Sequence, residues 1–340
     1  MDNILLNLRK EIETQLLPLI DNDYIFYGLP YYSNIGDVLI WEGTRQLLAS
    51  CKHNCIGSYA SGSKIRESIS QDTIIIIIGG GFWGDVWRKS FEYALFNIKG
   101  KYDNRIIFLP NSISYKDKNL LKNDIELFNN YKDLYICCRD SFSYDFAKTF
   151  FNNHVLLIPD MAFYIDPISL QKYQLPSVKG GLLLQRNDCE ANTEIDLALK
   201  DMDVYDWPTM EGLNAHMFFF KSLFRIYYFL VGFELFDRKC FRNLVNVIGL
   251  HFFRKYMLKV GVQFISRYKT IVTTRLHPMI LAFLLNKEVS FVDNSYGKIS
   301  HLYTTWLKEA KIVSAFANLK QKNPVQPRPN ENDVLPGFYD

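Results

Sequence analysis

The chain has 340 residues, of which 48% are hydrophobic and 22% are charged. This composition excludes a disordered protein, and the length suits two folded domains. The net charge of +3 is too small to indicate nucleic-acid binding, so we expect no nucleic acid among its partners. The opening segment 1–20 has the pattern of an amphipathic helix rather than a secretion signal, which predicts a cytoplasmic protein.

The first half of the chain alternates short apolar strands with amphipathic helices. Five consecutive isoleucines in one strand are typical of a parallel sheet covered on both faces. This alternation predicts an α/β fold with a doubly wound, Rossmann-like sheet. The predicted strands are DYIFYGLP, TIIIIIGGG, RIIFLPNS, DLYICCRD and HVLLIPDM.

The turn after the first strand carries a candidate carboxylate, Asp37, at the start of a predicted helix. Asp is a good helix N-cap, and from the residue alone the cap is the safer interpretation. The alternative is a carboxylate that contacts a sugar hydroxyl or acts as a base. Asn34 and Gly36 in the same turn become candidates for lining a cleft.

The glycines Gly79–Gly84 match G-x-G-x-x-G after a strand. A dinucleotide site also needs an acidic residue at the end of the next strand, but that strand ends in Pro110-Asn111-Ser112. We therefore expect no NAD and no other cofactor. The glycines would still allow a tight turn that exposes N–H groups, so Gly80, Gly81 and Asn111 are candidate cleft-lining residues.

Two clusters have some resemblance to metal sites. Cys51, His53 and Cys55 lie close together, but no second ligand pair follows them. Asp201 and Asp203 resemble a metal-binding D-x-D, but they follow a predicted helix in a polar segment, which indicates a helix end and a loop. We expect no metal site.

Segment 217–233 is apolar apart from Lys221 and Arg225. Two central cations would be costly in hydrocarbon, so the segment is not expected to span a membrane. An interfacial helix would place both cations at the lipid head groups, and more basic residues follow. A buried helix of the second domain, with cations that reach the surface, explains the pattern equally well.

The segment TIVTTRLHPMI delivers Arg275 and His277 to the point where a strand changes into a helix. Arg139 follows an earlier strand in the same way. A solvated arginine and a packed histidine would be an ordinary helix start. A guanidinium and an imidazole two residues apart nevertheless favour a site for an anionic substrate that needs a proton moved.

The domain boundaries follow from the change of pattern near Pro167. We expect an N-terminal Rossmann-like lobe over 1–170 and a C-terminal Rossmann-like lobe over 171–320. The segment 321–340 would be a proline-rich tail.

Seven pieces of the chain, taken in order, resemble the polysaccharide pyruvyl transferase family. The resemblance implies two lobes that face each other across a cleft, as in GT-B glycosyltransferases. Lobe 1–170 would then hold the acceptor side and part of the donor site, and lobe 171–320 the rest of the donor site. It implies that Arg139, Arg275, Leu276 and His277 bind phosphoenolpyruvate, and Lys298 in the last piece is a further candidate for lining the cleft. The pieces are SNIGDVLIWEG, IIIIIGGGFWGD, FLPNSI, CCRDSFSY, IPDMAF, TTRLHPMILAFLLNK and VDNSYGKI.

The activity implied by this resemblance is transfer of pyruvate from phosphoenolpyruvate, as a ketal, to a sugar of a bacterial surface or exopolysaccharide or its lipid-linked precursor. His277 would donate the proton, and Asp37 would orient or deprotonate the acceptor hydroxyl. The protein would then work at the inner face of the cell membrane. Two alternatives stay open, a GT-B-type glycosyltransferase that uses a nucleotide sugar and a non-catalytic membrane-surface assembly protein.

Overall fold

The computed structural model describes most of the chain as two compact α/β units. The N-terminal unit comprises Asp2–Tyr31 and Ile40–Tyr164, and the C-terminal unit comprises Tyr32–Leu39 together with the chain from Ile165 onward. The predicted tail 321–340, Cys189, Phe233 and Arg238 lie outside the described residues. The described residues are 2–65, 67–188, 201–211, 214–232, 239–293 and 297–316.

The N-terminal unit is built on a parallel sheet of seven described strands, in the order β2-β1-β3-β5-β6-β7, with β4 paired to β5. Both the parallel pairing and the helices between the strands agree with the predicted α/β class. The strands are β1 Tyr24–Leu29, β2 Cys55–Ala60, β3 Ile74–Ile77, β4 Gly80–Gly84, β5 Arg105–Ser114, β6 Asp133–Cys138 and β7 His154–Leu157. The helices are α1 Asp2–Leu16, α2 Ile35–Leu48, α3 Arg88–Ile98, α4 Lys118–Phe128 and α5 Ser141–Phe150.

The isoleucine run forms the centre of this sheet. Residues 74–77 of β3 are all buried, and they pair with β1 on one side and β5 on the other. Burial on both faces explains why the run is continuously apolar rather than alternating. Beyond it, β4 delivers Trp83 into an aromatic cluster, with ring centroids 4.6 Å from Phe108 and 5.1 Å from Phe128.

The C-terminal unit has a second parallel sheet of five described strands, in the order β12-β11-β10-β8-β9. The predicted strands around Leu182, Val272 and Phe291 are present. The strands are β8 Lys179–Leu184, β9 Met202–Tyr205, β10 Tyr268–Thr273, β11 Val289–Phe291 and β12 Val313–Ala315. The helices are α6 Pro167–Gln171, α7 Ala215–Gly232, α8 Lys239–Ile248, α9 Arg254–Ser266, α10 Leu276–Leu284 and α11 Lys298–Leu302.

Helices α8 and α9 are joined by a π-helical segment, Gly249–Phe253. Helix α9 then leads directly into β10, and β10 leads into α10. None of the helices that the structure describes combines the length and the apolar character that a membrane span requires.

Candidate functional site

Charged side chains gather at the carboxyl edge of the C-terminal sheet. Arg186 and Asp188 follow β8, Asp206 follows β9, Arg275 follows β10 and Asp293 follows β11. Because parallel strands end at the same edge of a sheet, these groups converge where α/β proteins bind ligands. This edge is the candidate site.

Arg275 is held by two aspartates at this edge. Its Nε and Nη2 donate to the two carboxylate oxygens of Asp206, at 2.5 and 2.6 Å, and both side chains are buried. Nη2 also lies 3.1 Å from Oδ2 of Asp188. None of the hydrogen bonds that Arg275 makes within the described part of the chain uses Nη1. The guanidinium is thus fixed in orientation, with one donor group available for a ligand.

Arg186 forms a second arginine–aspartate pair beside the first. Its Nε and Nη2 lie 2.7 and 2.9 Å from the carboxylate oxygens of Asp188. Its backbone N–H donates to Oγ1 of Thr274, at 2.9 Å, which ties the end of β8 to the end of β10. Asp188 therefore bridges Arg186 and Arg275, and the four charges form one network.

His277 lies on the first turn of α10, half buried, and it packs closely against Gly36 on the first turn of α2. A Cβ placed on Gly36 would lie 2.5 Å from Nδ1 of His277, well inside contact distance. Residues 32–39 belong to the same unit as His277. Gly36 therefore leaves the space in which the imidazole lies.

Asp37 is not the helix N-cap that the sequence favoured. Asn34 has that role, because its Oδ1 accepts from the backbone N–H of Gly36, at 2.9 Å. The Nδ2 of Asn34 donates to Oδ2 of Asp37, at 2.8 Å, on the first turn of α2. The half-buried Asp37 carboxylate is thus oriented by Asn34, one residue beyond the glycine that touches His277.

The segment 206–210, directly after β9, contacts both the arginine–aspartate network and the turn before α2. Asp206 binds Arg275, and the Sδ of Met210 lies 3.5 Å from Nη2 of Arg275. Oγ1 of Thr209 donates to the backbone carbonyl of Ser33, at 2.6 Å. The segment therefore contacts both the arginine network and the turn that positions Gly36 and Asp37.

Lys298 begins α11, the helix that follows β11. The carboxylate of Asp293 accepts from the backbone N–H groups of Ile299 and Ser300, at 3.0 and 3.3 Å. These bonds fix the start of α11 at the carboxyl side of the same sheet. Lys298 is thus placed on the site's edge of the unit, although its role as a cleft-lining residue stays a prediction.

Arg139 is completely buried in the N-terminal unit, with 0% of the residue exposed. Its Nε donates to Oγ of Ser112, at 2.9 Å, and its Nη1 donates to Asp160, at 2.8 Å. Ser112 in turn donates to Asp140, which caps α5 through the backbone N–H of Ser143. Two of the three guanidinium nitrogens are therefore bonded to protein groups, and the whole side chain is buried from solvent.

The glycine-rich turn differs from the sequence prediction. Gly80 and Gly81 do not form an open tight turn but begin strand β4, and Gly80 pairs with Asn111 of β5. Asn111 is fully buried, and its Nδ2 donates to the carbonyl of Leu109. The bulky residues that follow the glycines supply core packing, and Trp83 is buried to 1% exposure. These residues stabilise the sheet.

Asp203, from the D-x-D pair of the sequence analysis, lies in a strand and is bonded to neighbouring side chains. Residues 202–205 form β9 and not the expected loop, and Asp203 accepts from Lys179 and Tyr268, at 2.9 and 2.8 Å. The Lys179 ammonium, helped by the Tyr268 hydroxyl, lowers the pKa of Asp203. Within the described ranges, no group of three or more His, Cys, Asp or Glu side chains could hold a metal ion.

Comparison with known proteins shows which family the chain belongs to. The model of the family described as "Polysaccharide pyruvyl transferase" matches residues 34–296, which is most of the chain. The chain belongs to the polysaccharide pyruvyl transferase family. The match spans Asn34, Gly36, Asp37, Arg275 and His277 and ends two residues before Lys298.

Two curated relatives support this membership. "Putative pyruvyl transferase EpsO" of Bacillus subtilis is 29% identical over 289 residues, 84% of this chain and 86% of the relative. "Pyruvyl transferase 1" of Schizosaccharomyces pombe is 25% identical over 292 residues, 82% of this chain and 68% of the relative. Membership of this family makes the protein a transferase of polysaccharide biosynthesis.

A solved structure shares the fold of this pyruvyl transferase family member. The crystal structure of an uncharacterized Klebsiella pneumoniae protein matches with a TM-score of 0.60 and 22% identity, covering 92% of this chain and 99% of that one. At this identity the likeness concerns the fold alone.

Sequence reasoning missed the aspartates of the site. It selected Arg275 and His277 but not Asp188, Asp206 or Arg186, although each follows a strand in the same sheet. The rule that selected Arg275, a charge directly after a strand, would also have selected Arg186 and Asp188 in QRND. Asp206 could not be found in this way, because β9 was not predicted.

Proposed function

We propose that the protein transfers pyruvate from phosphoenolpyruvate, as a ketal, to a sugar of a surface polysaccharide or its lipid-linked precursor, with release of phosphate. The observation that carries the proposal is the placement of His277 against Gly36, two residues from the fixed guanidinium of Arg275, in a member of a pyruvyl transferase family. An anion-binding group and a titratable group then lie at one strand end.

The donor would bind at the carboxyl edge of the C-terminal sheet. Phosphoenolpyruvate carries a phosphate and a carboxylate, and Nη1 of Arg275 and the N-terminal turn of α10 can both attract an anion. Leu276 would bind through its backbone, at the first position of that helix. Arg139 stays a predicted donor ligand, and its Nε and Nη1 are held by Ser112 and Asp160.

The reaction needs one proton at the methylene carbon of the donor. Protonated His277 would give this proton, which leaves an oxocarbenium-like centre at the adjacent carbon. One sugar hydroxyl attacks that carbon and loses its proton to Asp37. A second hydroxyl of the same sugar then attacks as the carbon–oxygen bond to phosphate breaks, and its proton passes to the departing phosphate. The products are the cyclic ketal and hydrogen phosphate, and solvent returns the proton from Asp37 to His277.

The acceptor and the arrangement of the two lobes are further parts of the proposed function. A polysaccharide acceptor is consistent with the family, and a lipid-linked acceptor would require the enzyme to work at the inner face of the cell membrane. The GT-B-like arrangement and the division of donor and acceptor sides between 1–170 and 171–320 are expectations from the resemblance.

The test is product formation. Purified protein is mixed with carbon-13-labelled phosphoenolpyruvate and a candidate glycan, and ketal signals are followed by NMR alongside phosphate release. We expect labelled ketal in the glycan and phosphate in equal amount. Glycosyl transfer from a nucleotide sugar, without any ketal, would contradict the proposal and favour the glycosyltransferase alternative.

A further inference from the structure

Helix α7 is held to the C-terminal unit through one face. Phe220 and Phe224 are buried, and their ring centroids lie 5.2 and 5.0 Å from that of Phe253. Met217 and Tyr227 are buried on the same side of the helix, at spacings of three and four residues. One apolar stripe of α7 is therefore accounted for by the core.

The other face of α7 is also apolar but is exposed. Phe218 and Phe229 are 63% and 64% exposed, and Phe219 and Ile226 are more than half exposed. Leaving large apolar side chains in water is unfavourable, because their burial is a main source of stabilising free energy. A helix that is apolar on both faces indicates that the exposed face has a partner.

The exposed surface continues from α7 onto the next helix. An open groove of about 450 Å³ is lined by the start of α7, the end of α8 and the π-helical segment, including Phe219, Ile248 and Phe252. We define the apolar patch as the seven exposed side chains that α7, α8 and the π-helical segment contribute. They are Phe218, Phe219, Ile226, Phe229, Leu244, Val247 and Phe252.

The charges on these helices have one sign. Lys221 and Arg225 are exposed on α7 among the aromatic residues, and burial by these neighbours lowers the pKa of Lys221. Lys239, Lys255 and Lys259 are exposed on α8 and α9. The sequences of 215–232 and 239–266 contain no aspartate or glutamate. The surface is thus suited to an anionic partner.

We propose that the apolar patch and its flanking cations dock the protein on a membrane surface that contains anionic phospholipid. Aromatic and aliphatic side chains would enter the boundary between head groups and acyl chains, and the cations would contact the phosphates. A second copy of the same surface would bring like charges together, which opposes self-association. This docking does not require the proposed reaction and can be tested without any substrate.

The experiment is flotation of the full-length protein with vesicles, either of phosphatidylcholine alone or of phosphatidylcholine with phosphatidylglycerol. We expect binding to the anionic vesicles and little to the neutral ones. The double variant Lys221→Gln/Arg225→Gln should bind roughly 30-fold more weakly, because each cation near an anionic surface contributes about 1 kcal/mol. Phe218→Gln/Phe229→Gln should lose at least about a hundredfold.

Matched controls are available in the same unit. Ile168 and Val178 are 70% and 77% exposed, and Lys308 and Lys311 are exposed cations, all of them elsewhere on the surface. Ile168→Gln/Val178→Gln and Lys308→Gln/Lys311→Gln should bind vesicles as the wild type does. Absence of flotation for the wild type, or equal loss in patch and control variants, overturns the proposal. Sedimentation that shows dimers abolished by Phe218→Gln/Phe229→Gln, without vesicle binding, overturns it in favour of self-association.

Discussion

At the residue scale, the proposed function depends on how closely His277 approaches the backbone of α2. The imidazole occupies the volume that a side chain at position 36 would fill. The side chain of Asn34 bonds to both the backbone N–H of Gly36 and the carboxylate of Asp37. It therefore fixes the positions of these two residues relative to each other. A proposed acid and a proposed base are therefore positioned by the same turn.

Gly36→Ala tests this packing. The added methyl group would lie 2.5 Å from Nδ1 of His277, so the imidazole must move. Displacing a catalytic group by about 1 Å costs roughly a hundredfold in rate, and we expect that loss in turnover with little change in stability, because alanine is a good helix former. Phosphate release and thermal unfolding are measured together.

The matched control is Gly180→Ala in β8, where an added Cβ meets no heavy atom within 4 Å. Its turnover should equal that of the wild type. Normal turnover of Gly36→Ala would show that the position of His277 does not govern the reaction.

His277→Ala tests the proton donor itself. Loss of a general acid should lower kcat by about two to four orders of magnitude, while donor binding changes less. The measurement is phosphate release over a range of pH, compared with donor binding by calorimetry. A variant with wild-type turnover, or a wild-type rate that does not vary from mildly acidic to mildly basic pH, would remove His277 from this role.

The residues of the site were partly predictable from the sequence. Arg275 and His277 could be selected because they directly follow a strongly β-branched run and precede a helix. The partnership of Arg275 with Asp206 could not, because the two residues are 69 positions apart and meet only through the pairing of nonadjacent strands. Likewise, nothing local distinguishes Gly36 as a residue that accommodates an imidazole.

At the element scale, strand β4 shows why a glycine motif can mislead. Gly79–Gly84 follows a strand as a nucleotide-binding loop would, yet the structure extends it as a further strand beside β5. A Cβ on Gly79 would lie 2.5 Å from the carbonyl oxygen of Pro110, and one on Gly84 would lie 1.8 Å from that of Ser114. These glycines are needed for close approach to the backbone of the sheet itself.

Trp83→Ala tests the structural role of this element. Its indole packs among Phe91, Phe108 and Phe128, and its removal should lower the free energy of unfolding by about 3–5 kcal/mol. The control is Phe96→Ala on α3, where the ring is 52% exposed and the expected loss is small. Chemical denaturation measures both, and equal stability of Trp83→Ala and the wild type would contradict the packing account.

The hydrophobic pattern of the sequence did not predict strands β9 and β2. Both are short edge strands with mostly exposed or half-exposed side chains, so they lack the apolar run that identified β3 and β10. The main-chain pairing that forms them comes from the neighbouring strand. For β9 the omission had a consequence, because Asp206 directly follows it.

At the scale of the whole molecule, the α/β class followed from the alternation of strands and helices. The strand order did not, because it depends on which strands pair across the chain. Residues 32–39 illustrate the difference. In sequence they continue the N-terminal unit, but they are grouped with the C-terminal unit, next to His277 and Gly261. No local pattern predicts such an exchange.

The most direct test of the account is a ligand-stability measurement with the full-length protein, which compares phosphoenolpyruvate with UDP- and GDP-sugars. A donor that binds the folded state raises the midpoint of thermal unfolding, by the equivalent of about 2.7 kcal/mol at a hundred times its Kd. We expect this rise with phosphoenolpyruvate and none with the nucleotide sugars. The variant Arg275→Ala should bind phosphoenolpyruvate with a free energy of binding that is weaker by about 2–3 kcal/mol. The proposed function would be contradicted if a nucleotide sugar stabilised the protein and phosphoenolpyruvate did not. Equal binding of phosphoenolpyruvate to Arg275→Ala and the wild type would contradict the proposed donor site.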